Sequence, residues 1–312
     1  MKSVLMHALA AAVVIAGFSA LPGCNGARDT ALHALNSTGQ TGFIQRSITR
    51  GDRTRKYALF VPTTYKATTK YPVIIFLHGV GEGGSDASKN LTVGLAPFVA
   101  DQMGTFPFIC IFPQSESGGW DENSQAAMDV ITALDDTAKA YNIDQDRVSL
   151  TGLSTGGYGT YAIGAKYKER FAALIPMASN ASADKYAGDL INMPIHAYCN
   201  SSDMFGGFGG NDRGMVERIK SMGGKYAEFT MCSDGGHDCW DGVYGSGELF
   251  GWLLQQRRHS SASTPSAAPV RSSGSLKSSA VPVAAAPSTP TTPVAASRGA
   301  ANTNNALVPT PY

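Results

Sequence analysis

Thr151-Gly152-Leu153-Ser154-Thr155-Gly156-Gly157 lies where a short apolar run gives way to a helical pattern. Gly152-x-Ser154-x-Gly156 therefore reads as a strand passing into a helix through one sharp turn. Glycine is needed on both flanks because a Cβ there would collide with neighbouring backbone. The serine between them is lifted clear of the turn, in the arrangement of a nucleophile elbow. The helix N-terminus behind it places partial positive charge where an oxyanion would form.

A serine hydroxyl is a poor nucleophile without a base. The chain has six histidines, and elimination works. His7 lies in the N-terminal apolar segment, His33 just after it, and His259 where the C-terminal tail begins. His196 falls inside a predicted strand. His78 precedes an early turn, where a structural role is expected. His237, in Gly235-Gly236-His237-Asp238, follows the last predicted strand, and a loop there can reach Ser154. In sheets that present a serine on such an elbow, the acid and then the histidine follow it along the chain. Asp203 ends Cys199-Asn200-Ser201-Ser202-Asp203 directly after a strand and is the predicted acid. Asp212 runs too far into the next helix, and Asp234 and Asp238 are too close to His237 in sequence to orient it easily. Asp203 would fix the imidazole tautomer and stabilise the imidazolium. An oxyanion needs backbone donors. Thr155 supplies one, and Val80, in the turn His78-Gly79-Val80-Gly81-Glu82-Gly83-Gly84, is expected to supply the other.

Outward from the elbow, apolar runs and helical periods alternate. Strands are predicted at 43–49, 56–62, 71–77, 106–112, 147–151, 171–178, 194–199 and 225–232. Helices are predicted at 89–102, 124–141, 155–167, 212–222 and 248–258. Two strands lead, then strands and helices alternate, which is the pattern of a mostly parallel α/β sheet with helices on both faces. Val73-Ile74-Ile75-Phe76-Leu77 is apolar at every position, as a strand buried on both faces must be. Gly79-x-Gly81-x-x-Gly84 has dinucleotide-binding spacing. Two strands precede it, however, and the next strand ends Phe112-Pro113-Gln114 without the required acid. Gly206-Gly207-x-Gly209-Gly210 lacks the Lys-Ser/Thr of a phosphate loop and reads as a mobile loop beside the acid. The cysteines lack zinc-site spacing. No cofactor and no metal are expected.

The ends of the 312-residue chain read differently. Residues 259–312 hold three charged groups, Arg271, Lys277 and Arg298, and no carboxylate. Such a stretch cannot bury enough apolar surface to offset its ordering entropy. Lys2 and the apolar run 4–21 read as an export signal over 1–23. The run ends Leu21-Pro22-Gly23-Cys24, which resembles a bacterial lipobox. Cys24 is the expected lipidated N-terminus, the alternative being an ordinary secretory signal. Residues 24–37 then form a leash and 38–258 the catalytic domain. The chain carries 25 basic and 24 acidic side chains. Removing the three tail cations leaves 22 against 24, which argues against a nucleic-acid binder. Export places Cys110, Cys199, Cys232 and Cys239 in a disulfide-permissive compartment.

The segments Tyr57-Ala58-Leu59-Phe60-Val61-Pro62, Leu77-His78-Gly79-Val80-Gly81-Glu82, 152–159, Gly236-His237-Asp238-Cys239-Trp240 and Trp252-Leu253-Leu254 together resemble the α/β-hydrolase superfamily. Within it the likeness is to the exported esterase branch. That branch holds feruloyl and acetyl-xylan esterases of carbohydrate esterase family 1, polyhydroxybutyrate-depolymerase-like esterases, and "predicted peptidases" related to prolyl oligopeptidase. The resemblance spans about 43–258. It implies an eight-stranded sheet without a large cap domain, with Ser154, Asp203 and His237 at the triad positions. Cys199-Asn200 departs from the His-Gly of many relatives. The fold would make the strands ending at Cys199 and Cys232 neighbours, which implies a disulfide between them.

The segment between strands six and seven is too short for a cap, and no propeller precedes the domain. An open site on an exported, anchored enzyme suits esters of extracellular polymers, with acylated plant polysaccharide as the expected substrate. Trp120, in Gly118-Gly119-Trp120-Asp121, and Trp240 are expected to stack on sugar or aromatic acid. Two alternatives remain: a serine peptidase acting on short peptides, and a catalytically silent surface lipoprotein that binds polysaccharide.

Overall fold

β3 (Tyr71–Leu77) is buried from Pro72 to Leu77. Its side chains alternate between two cores, as the period of a strand dictates. Val73, Ile75 and Leu77 enter one cluster, and Ile74 and Phe76 the other. Around it run β1 (Gly42–Arg50), β2 (Arg53–Val61), β4 (Ile109–Pro113), β5 (Ile143–Leu153), β6 (Ala173–Met177), β7 (Ile195–Asn200) and β8 (Ala227–Cys232). They form one eight-stranded sheet in the order β1-β2-β4-β3-β5-β6-β7-β8. The pairs β1/β2 and β2/β4 are antiparallel, and every other pair is parallel. This computed structural model describes residues 40–258 apart from Phe208 and Asp234. The expected export signal, Cys24, the leash up to residue 37 and the tail lie outside the described residues.

Parallel strands require crossovers, and here the crossovers supply the two helical layers. On one face pack α2 (Gln125–Ala140), α3 (Thr155–Lys166) and α5 (Gly210–Ser221), contributing Val130, Leu134, Ile163, Met215 and Ile219. On the other pack α1 (Leu95–Asp101), α6 (Trp240–Gly245) and α7 (Glu248–Leu253), contributing Leu95, Val99, Tyr244 and Phe250. Phe250 stacks on Phe98 and meets Phe106 edge-on, each at 4.9 Å between ring centroids. α2 starts where the Ser124 hydroxyl accepts the Ala127 N–H, a cap that satisfies one otherwise orphaned donor. Between β6 and β7, residues 178–194 hold only the short helix α4 (Ala183–Tyr186) and a 3-10 turn.

Several boundaries differ from expectation. β4 starts at Ile109, because Phe106 and Phe108 leave the ladder and fill the aromatic core. The predicted helix 89–102 is a 3-10 turn at Lys89–Leu91 and then α1, divided by Gly94 at φ +64°. β5 begins at Ile143 and runs through the Asp144–Arg147 ion pair of 2.8 Å. The helix predicted at 248–258 ends at Leu253.

Candidate active site

Ser154 joins β5 to α3 at φ +55° and ψ −119°. A side chain held there costs about 1–3 kcal/mol unless its surroundings dictate it. They do. A Cβ on Gly152 would sit 2.3 Å from the Gly156 carbonyl oxygen, and one on Gly156 would sit 2.0 Å from that of Leu77. The Ser154 N–H donates to Met177 O at 3.0 Å. The elbow is thus wedged between the ends of β3 and β6. Thr155 is the first residue of α3, so its N–H belongs to the helix-start donors that lack an intrahelical acceptor.

Asp203 follows β7 and His237 follows β8, at the same carboxyl edge of the parallel strands as Ser154. The His237 imidazole Nδ1 lies 2.9 Å from Asp203 Oδ1, and the Asp203 side chain is fully buried. Asp203 Oδ1 also accepts the Phe205 N–H at 2.9 Å, and the Cys199 thiol donates to Oδ2 at 3.4 Å. Burial, as the largest influence, pushes the Cys199 thiol well up, so it stays protonated as a donor. Asn200 holds the histidine loop from behind: its Nδ2 donates to Gly236 O at 3.2 Å and Asp238 O at 2.8 Å. The Gly236 N–H donates to the Ser202 hydroxyl at 3.2 Å. The Cys199-Asn200 pair, a departure from the expected His-Gly, therefore braces both the acid and the loop. Nothing in the local sequence of Asn200 signals this, because its partners lie 36 and 38 residues away. No hydrogen bond joins Ser154 to His237, and among the described residues none engages the Ser154 hydroxyl. Such bonds often close only with substrate in place.

Val80 begins a 3-10 turn (Val80–Glu82) after β3, is 64% exposed, and among the described residues has no acceptor for its N–H. Buried His78 is structural. It accepts the Ser115 N–H on Nε2 at 3.1 Å, so Nδ1 carries the proton and donates to Gly79 O at 2.7 Å. Asp212 is buried in α5 and accepts the Ser179 N–H at 2.9 Å; it does not meet His237. Burial, and secondarily the Asp203 charge, raise its carboxyl to about 8. Gly206, Gly207 and Gly209 lie between Asp203 and α5, and Gly210 is the first residue of that helix.

Two expectations are corrected. Trp120 and Trp240 are 1% and 8% exposed, so neither offers a face for stacking. The Trp120 indole N–H donates to His78 O at 2.9 Å, and Trp240 meets the His237 ring edge-on at 5.4 Å. The Cys199–Cys232 disulfide is absent, and all four described cysteines are free. Cys199 pairs with Met231 and Asn200 with Cys232, so the one-residue offset puts the two thiols on opposite faces of the sheet. The Cys239 thiol donates to Tyr198 O at 3.7 Å.

Among the described residues, Val80, Met204 and Phe205 are large apolar side chains exposed in the segments after β3 and β7. The Phe205 ring lies 5.0 Å from the His237 ring. A cavity of about 350 Å³ sits behind the histidine loop, lined by Asn200, Cys232, Asp238, Cys239 and Glu248 among others. A larger hollow of about 490 Å³, bounded by Lys168, Met193, Tyr226 and Arg258, has no triad candidate in its lining.

The family described as the prolyl oligopeptidase family matches residues 115–201, a span that holds Ser154 but neither Asp203 nor His237. The chain is 24% identical over 200 residues to acetylxylan esterase A of Aspergillus awamori, covering 55% of this chain and 63% of that one. It is 30% identical over 148 residues to feruloyl esterase B of Neurospora crassa, covering 44% and 49%. A solved thermostable esterase superposes with a TM-score of 0.63 at 26% identity, covering 69% of this chain and 63% of the other. The chain thus spans about half to under two-thirds of the length of these relatives.

Proposed function

We propose that this chain, which belongs to the α/β-hydrolase superfamily by its fold and its likeness to esterases, is a serine carboxylic-ester hydrolase. The observation that carries the reading is the buried Asp203 bonded at 2.9 Å to His237, at the sheet edge where the elbow presents Ser154. In the proposed cycle the Ser154 hydroxyl attacks the ester carbonyl carbon and His237 takes its proton. The oxyanion is held by the Thr155 and Val80 N–H groups. His237 then protonates the departing alcohol, leaving an acyl-serine. Water, deprotonated by His237, attacks that acyl group, and the acid leaves as Ser154 regains its proton. Asp203 orients the imidazole throughout.

The proposed substrate is an acylated extracellular polysaccharide or a related acetyl or phenolic ester. The acetylxylan and feruloyl esterase relatives support this, as does the apolar rim of Val80, Met204 and Phe205. Residues 38–258 are the proposed catalytic unit, exported and held at the membrane through lipid on Cys24. The prolyl oligopeptidase match supports a second reading, a serine peptidase. Turnover of p-nitrophenyl acetate, methyl ferulate and an aminoacyl anilide by the full chain separates the two. The expected result is ester cleavage that falls by a factor on the order of 10⁴ or more in Ser154→Ala. Preferred cleavage of the anilide would favour the peptidase, and no turnover of any of the three would sink both readings.

A further inference from the structure

We infer that residues 115–120, the strap that follows β4, hold the oxyanion hole in shape, with Gly118 and the Thr155 hydroxyl as its positioning groups. The inference rests on the proposed serine-hydrolase site. The two proposed donors come from distant parts of the chain, Val80 from the turn after β3 and Thr155 from the start of α3. One residue touches both. Gly118 adopts φ +71°, and a Cβ there would lie 2.6 Å from Val80 Cα and 3.0 Å from Val80 O, so its backbone is pressed against that turn. Its carbonyl accepts the Thr155 hydroxyl at 2.7 Å.

The strap is itself anchored. The Ser115 N–H donates to His78 Nε2 at 3.1 Å, and the Trp120 indole N–H donates to His78 O at 2.9 Å. The Gly84 N–H donates to Ser115 O at 3.1 Å, which fastens the strap to the far end of the Val80 turn. Within the strap, the Ser115 hydroxyl donates to Gly119 O at 2.8 Å. Burial lowers the His78 pKa, which keeps Nε2 free to accept. Buried Trp120 and the glycine pair before it thereby acquire a role that substrate stacking does not give them. The energetic reason is that oxyanion donors act fully only when preorganised about 2.7–3.1 Å from where the charge develops. Losing one donor costs about 10²–10³-fold in kcat. Displacing one should cost part of that.

The test is Thr155→Val, which keeps the N–H and removes the hydroxyl, beside Thr155→Ser, which restores it. The readouts are kcat and KM for p-nitrophenyl acetate and the affinity for a trifluoromethyl ketone that mimics the tetrahedral intermediate. Thr155→Val should lower kcat about 10-fold with KM within about 3-fold. The ketone should weaken in proportion to kcat/KM, and Thr155→Ser should recover both. Gly118→Ala should show the same split wherever it folds. A Thr155→Val enzyme with wild-type kcat and ketone affinity overturns the strap's role, as does a loss confined to KM. A wild type that cleaves no ester would instead sink the parent reading.

Discussion

The turn that carries Ser154 and the loop that carries His237 are held by different means. Backbone packed on backbone holds the first: carbonyls of Leu77 and Gly156 fill the space that side chains at Gly156 and Gly152 would need. Side chains reaching over from the end of β7 hold the second, through Asn200, Ser202 and Asp203. Backbone cannot yield without moving a strand, whereas each side-chain bond contributes only about 0.5–1.5 kcal/mol and can be exchanged. The elbow is therefore the fixed platform and the histidine loop the adjustable partner.

The strongest challenge to this contrast is Gly156→Ala. Its added carbon would sit 2.0 Å from Leu77 O, so the variant should lose roughly 3 kcal/mol or more of stability, or fail to accumulate folded. Denaturant unfolding measures this, and a wild-type midpoint would show that the elbow yields. A smaller effect is expected at the loop. Asn200→Ala should lower kcat about tenfold by freeing the histidine, at a stability cost of about 1–3 kcal/mol. Steady-state kinetics with a melting curve checks it, and an unchanged kcat would mean that Asn200 does not position His237.

An effect of pH lies behind the acid. Asp212 keeps its proton up to about pH 8 in the folded chain, chiefly because it is buried, whereas an unfolded aspartate releases it near 4. The folded state then binds the extra proton between those values, so stability falls as pH rises from about 4 to about 8 and levels off above. Asp212→Asn removes that slope. Its melting temperature relative to wild type should rise by roughly ten degrees more at pH 8 than at pH 5, and an equal difference at both would contradict the assignment.

The same contrast explains what could be read from the sequence. The elbow was legible because backbone collisions force glycine at fixed spacing around the serine. β3 was legible because a strand buried on both faces excludes polar residues, and the five consecutive apolar residues from Val73 show it. His237 was reached by elimination among six histidines. The bracing of the loop by Asn200 was not legible, since it depends on tertiary pairing and leaves no local pattern. The tryptophans misled because a position after a strand does not show which way a ring turns; both rings turn inward and pack against histidines. The cysteine pairing failed on a register of one residue, which reverses the face of a side chain. α6 escaped notice because it is only six residues long and holds two glycines, although Trp240, Val243 and Tyr244 share one face at helical spacing.

The account stands on Ser154 and His237 working as one unit. Labelling the full chain with a fluorophosphonate and mapping the adduct by peptide mass tests this most directly. The adduct should sit on Ser154, and its rate of formation should fall by a factor on the order of 10³ in His237→Ala, since the base is then missing. An adduct elsewhere, or one that forms on Ser154 equally fast without the imidazole, would contradict it.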